Sequence, residues 1–163
     1  MCILKKDSDV ERLEQAQKWD AILDFTYQRW LKEKSNLQFL LRAGTEAWLI
    51  NTYDYVEEVK KCDDILSSTI EYGMEHFADN VGFLSIFGYM IKLFPYFFNF
   101  FDGDFQKWSQ AGQQMILTAH SLKPDDVFIA ALNAIESKQP IALPAEYFKG
   151  NSEIEAYFRD VLR

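Results

Sequence analysis

Residues 80–101 read NVGFLSIFGYMIKLFPYFFNFF, and no other part of the chain is as apolar. Phenylalanine recurs along it, Tyr89 and Tyr96 join in, and Lys92 is its one charge. A helix apolar on every face is either buried by other helices or spans a membrane. The twenty residues from Gly82 to Phe101 are long enough to cross a bilayer. Lys92 stands at their midpoint, where a charge costs about 2.5–3.5 kcal/mol on insertion scales. Ser85, Pro95 and Asn99 add to that cost. The stretch therefore reads as the buried axis of a helical domain, over about 81–98, with no membrane span. Pro95 should kink or end it, because it lacks an N–H and crowds the carbonyl four residues earlier.

The flanking sequence is patterned at helical spacing. Length 163 suits a single domain, residues 1–163, with a sizeable core. Seven glycines, four prolines and 48% hydrophobic residues point to an all-α fold of about seven helices, compact and ordered. Ser8 and Glu11 have capping-box spacing. They open a first helix whose Leu13, Ala16, Trp19, Leu23, Tyr27 and Trp30 form one stripe. A second helix runs from about Leu37 towards Cys62, with Leu41, Trp48, Tyr55 and Cys62 inward and Glu46, Asp54, Glu57 and Glu58 outward. Gly44 and Asn51-Thr52 are its candidate breaks. Asp63 or Asp64 caps a third helix with Leu66, Ile70, Met74 and Phe77 inward, and Asn80 caps the central one. Asp102-Gly103-Asp104 is a turn and cap before a fifth helix carrying Phe105, Trp108, Gly112, Met115, Ile116, Ala119 and Leu122. Pro124 with Asp125 and Asp126 starts a sixth, which buries Val127, Phe128, Ala131, Leu132 and Ile135. An extended connection at 138–144 leads to Ser152 and Glu155, a second capping-box spacing, and a last helix.

Charge narrows the partners. Twenty-five acidic residues face seventeen basic ones, a formal net charge of −8. Such a surface repels nucleic-acid phosphates and anionic membranes and speeds encounter with basic proteins. Cys2 and Cys62 form no CxxC pair, and the amino terminus MCILKKDSD has too short an apolar run for a signal peptide. A cytoplasmic protein with reduced thiols is the expectation.

Motifs for chemistry do not assemble. His76 and His120 are far apart and show no metal-ligand spacing. Neither has an arginine at the distance a helical HEPN ribonuclease needs. The loop from Asp102 puts Phe and Gln where an EF-hand requires oxygen ligands and Gly. Glu57-Glu58, Asp63-Asp64 and Asp125-Asp126 are adjacent pairs, which point apart on a helix and do not share a proton. GxSxG, Walker A, GxGxxG and HExxH are absent from the sequence. The expectation is a non-enzyme with no cofactor and no metal. The aromatic surplus leaves an alternative, a cofactor-free helical, globin-like sensor with a cavity for an apolar ligand such as a fatty acid.

The run GYMIKLFPYFF at 88–98, then Gly112-x-x-Met115, then Ala119-x-x-Leu122-x-Pro124-Asp125, resembles small helical immunity proteins of bacterial polymorphic toxin systems, including contact-dependent growth inhibition. The resemblance covers residues 82–135. It implies an acidic cytosolic protein that neutralises a cognate toxin domain, frequently a basic nuclease, by covering its active site or substrate surface. The charge adds candidate contact residues: the acidic clusters Glu57, Glu58, Asp63 and Asp64, and Asp102, Asp104, Asp125 and Asp126. Each would mimic substrate phosphate or steer encounter.

Overall fold

The computed structural model describes residues 2–53, 57–98 and 103–163. Among these are eight α-helices and no strand: α1 (Ser8–Gln15), α2 (Trp19–Lys32), α3 (Leu37–Asn51), α4 (Val59–His76), α5 (Val81–Leu93), α6 (Phe105–Leu122), α7 (Val127–Ala134) and α8 (Glu153–Val161). A short 3₁₀ turn, Pro95–Phe97, follows α5. The all-α expectation holds, and the helices share one apolar core.

The central helix forms as its sequence dictates. The Asn80 side chain accepts from the N–H groups of Gly82 and Phe83, satisfying donors that a helix start leaves open. Every residue from Gly82 to Ile91 is buried. Pro95 opens the 3₁₀ turn, so the regular helix stops at Leu93 rather than reaching 98. Lys92 is half-buried and pairs with Glu136 at 3.3 Å. No helix among the described residues is long and apolar enough to cross a membrane.

A second helix is equally enclosed. Leu40 to Ile50 of α3 are all buried, including Arg42, Thr45 and Glu46. The outward placement expected for Glu46 is therefore wrong, because helices pack on α3 from several sides. Helices α2 and α4 flank α3, and α5 crosses it where the Phe87 ring sits against Gly44. Helix α6 runs antiparallel to α5 at close range: a Cβ on Gly112 would stand 2.5 Å from the Lys92 N and 2.8 Å from the Gly88 O. Two glycines facing each other let the backbones approach that far.

Several boundaries move. The single helix expected across 8–30 is two. Its first part ends in a Schellman arrangement, with Gln17 N–H donating to Glu14 O and Lys18 N–H to Leu13 O. Gln17 takes the left-handed φ of 52° that such a stop needs. The cap of α1 is Asp7, one residue before Ser8. The helix expected from 37 to 62 breaks at Thr52, and α4 starts at Val59, so Asp63 and Asp64 lie inside it and cap nothing. Asp126, rather than Pro124, sets the start of α7; its carboxylate accepts from Phe128 and Ile129 N–H. Met74, Phe105, Leu122 and Val127 were expected in the core and are exposed. The cap at Asp104 and the Ser152–Glu155 capping box are as expected, and Asn36 caps α3. Tyr55 lies outside the described residues.

Candidate functional site

Two polar constructions stand out, one sealed and one open. The sealed one joins the chain's ends to α3. Arg42 donates to the Glu46 carboxylate at 3.3 Å, to Ser152 Oγ at 3.0 Å and to the Lys5 carbonyl at 2.6 Å, and stands 4.0 Å from Glu155 Oε1. The carboxylate of Glu14 accepts the Glu153 N–H and shares a hydrogen bond with Glu46. Burial, with the Glu46 charge beside it, pushes Glu14 up to about 8. Burial also raises Glu46, against the pull of Arg42. Two facing carboxyls thus share one proton. Tyr53 donates to Glu153. Arg42, Glu46, Ser152 and Glu155 are each 2% exposed or less, so this network has no face open to a substrate. It clamps residues 3–5, α1 and α8 onto α3.

The acidic residues singled out from sequence do not converge on one site. Glu57 and Glu58 precede α4, and Asp64 is exposed within it. Asp63 is half-buried and accepts from Asn51 Nδ2 at 3.1 Å. Asp104 caps α6, Asp126 is buried as the cap of α7, and Asp125 is exposed beside it. Asp104 and Asp126 stand at opposite ends of α6, whose eighteen residues span about 27 Å. Asp102 and Asp54 lie outside the described residues.

The open construction is the face of α2 and α4. These helices run in the same direction over α3, tied at intervals: Lys61 to Asp20 and Asp24, Tyr27 Oη to Ser68 Oγ at 3.2 Å, and Trp30 to Tyr72 with centroids 5.5 Å apart. Between them lies a groove of about 470 Å³ lined by Tyr27, Trp30, Leu31, Lys34, Ser68, Glu71, Tyr72 and Glu75. Glu71 and Glu75 also border a second, more apolar depression of about 400 Å³ with Ile70, Met74 and Trp108. Residues 57–79 hold seven acids against two lysines, so this segment carries a net −5 of the chain's formal −8. Sequence reasoning placed Tyr27 and Trp30 in a core stripe and gave Tyr72 no role. The signal that could have found them is the pair Glu71 and Glu75, one turn apart on an otherwise amphipathic helix.

No protein-family model, no curated protein and no solved structure matches this chain.

Proposed function

We propose that this protein is an immunity or inhibitor protein, cytoplasmic, that binds and neutralises a cognate basic toxin domain, of the nuclease class, through its acidic surface. The observation that carries the reading is the α2–α4 face, where acidic side chains border an aromatic groove rather than being spread evenly. Complementary charge speeds encounter and fixes orientation, while the half-buried Tyr27 and Tyr72 supply aromatic contact area. Glu57, Glu58 and Asp64 extend the same helix and would steer the approach. Asp104 and Asp125 lie elsewhere and would act at longer range.

The sensor reading has no observation of its own behind it: the rings it would use, Phe83 and Phe87, are seated against Gly73 and Gly44.

The test is genetic. A candidate basic nuclease toxin domain is expressed with and without this chain. Restored growth and a purified one-to-one complex are expected. Continued killing in the presence of the folded chain would sink the proposal.

A further inference from the structure

Lys34 lies in the turn between α2 and α3, and its ammonium hangs over two rings of the groove, 5.5 Å from the Trp30 centroid and 5.6 Å from that of Tyr72. Those rings meet edge to face at 77°; Trp30 lies beneath Lys34 and is 1% exposed, and Tyr72 is half-buried, with the His76 ring stacked on it at 3.9 Å and His76 Nδ1 3.8 Å from Glu75. Tyr27 packs against Trp30 at 5.7 Å on the other flank. Glu71 and Glu75 project at the rim, both exposed. Two carboxylates one helical turn apart repel each other and weaken an isolated helix. A cation held between them reverses that effect. Rings below, carboxylates at the rim and an exposed lysine already at the mouth make a receptor for a cationic group.

We infer that the α2–α4 groove is a binding site for an arginine side chain presented by the basic partner protein. Arginine is favoured over lysine by shape: its planar guanidinium stacks on a ring and donates in a fork to carboxylates, as a point-like ammonium does not. The guanidinium takes the place of the Lys34 ammonium beside Trp30 and Tyr72 and donates to Glu71 and Glu75, while the His76 ring keeps its own stack on Tyr72 at 3.9 Å. Lys34 is the chain's own occupant, and it leaves the rings as the arginine enters. The inference rests on the inhibitor reading for the identity of the partner, and on the groove alone for the chemistry.

The probe is a tetra-arginine amide peptide, titrated calorimetrically into the full chain at low salt, with tetra-lysine amide as comparison. Saturable one-to-one binding is expected, several-fold tighter for the arginine peptide. E71Q/E75Q should weaken it at least tenfold. D9N/E146Q removes the same charge from exposed positions elsewhere and should weaken it less than threefold. K34M removes the resident cation and keeps its stem, and should tighten binding a few-fold. Circular dichroism establishes that each variant is folded; the Glu→Gln changes are isosteric and exposed. Absence of saturable binding, equal weakening by the two double variants, or weaker binding by K34M would each overturn the inference. Growth protection separates the two readings. If E71Q/E75Q protects against the toxin as well as the unaltered chain does, the groove is wrong and the inhibitor reading stands. If the unaltered chain gives no protection, the inhibitor reading falls and the peptide titration still judges the groove.

Discussion

Glu14 has a carboxyl group whose proton the fold retains. In the unfolded chain it titrates near 4.5, and in the folded protein burial and Glu46 raise it to about 8. A raised carboxyl favours folding when protonated. Its contribution is fully present below about pH 4.5 and is lost as pH rises through about 8. Thermal stability should therefore fall between pH 5 and 8.5 by more than about 3 °C, and E14Q, which keeps an acceptor for Glu153 N–H and a donor for Glu46, should flatten that slope. An unchanged slope in E14Q would show that the proton resides elsewhere. Asp7 behaves in the opposite sense: despite partial burial, its hydrogen bond from Arg29 lowers it, so its contribution is lost as pH falls below the usual carboxylate range. Arg42 is the counter-charge of the whole network. R42M leaves Glu46 and Glu155 buried without it and frees the Lys5 carbonyl, which should destabilise by about 3–5 kcal/mol in urea unfolding. A midpoint equal to that of the unaltered chain would show that the network carries no net stability.

Among the elements, the α5–α6 pair is the tightest. A methyl group on Gly112 would meet backbone atoms of Lys92 and Gly88, which cannot rotate away as a side chain can. G112A should therefore cost at least about 2 kcal/mol, in the range of overpacked cores, despite alanine's better helix propensity. Gain of stability in G112A would mean that the helices can separate freely. The start of α5 rests on Asn80, whose side chain caps Gly82 and Phe83. N80A should lose about 1 kcal/mol, read as a lower unfolding midpoint, and N80D should recover most of it. Helix α1 is held differently: its capping residue Asp7 is gripped by Arg29, itself stacked between Phe25 and Phe39 at 4.7 and 4.6 Å. That element depends on α2 and the start of α3 more than on its own eight residues.

For the whole molecule, the charge is unevenly distributed. The segment 57–79 carries the densest acidity, while Lys61 is occupied by Asp20 and Asp24 across the α2–α4 gap. Association with a basic partner should be fast at low ionic strength and slow steeply as salt is added, since exposed charges are screened within about 10 Å at 0.1 M. Charge reversal at Glu57, Glu58 and Asp64 together should slow association at least about tenfold while leaving dissociation nearly unchanged. Stopped-flow kinetics with the proposed toxin partner reads both rates. Identical association rates for the variant at low salt would remove these residues from the encounter surface. The clamp at Arg42 closes the chain's ends over the core, with Arg42, Glu46 and Glu155 sealed from any partner.

Local chemistry was legible before the structure. The central apolar stretch, its cap at Asn80, its stop at Pro95, the caps at Asn36 and Asp104 and the final capping box all follow from residue type and spacing, because each is set by neighbours within four positions. The break at Gln17 was hidden, since its stop uses a left-handed glutamine where glycine would have signalled it. Glu46 read as an outward residue and Arg42 drew no reading, because hydropathy cannot see a partner more than a hundred positions away, such as Ser152 for Arg42. The acidic clusters were visible as composition, but their separation along α6 was not, because the distance between helix ends depends on topology. The groove exists only where parallel α2 and α4 are laid side by side on α3. Sequence alone thus determined an all-helical chain with an apolar axis and an acidic surface; only tertiary packing decided which charges are sealed inside and which aromatic rings face outward, because both depend on contacts between segments far apart in the chain.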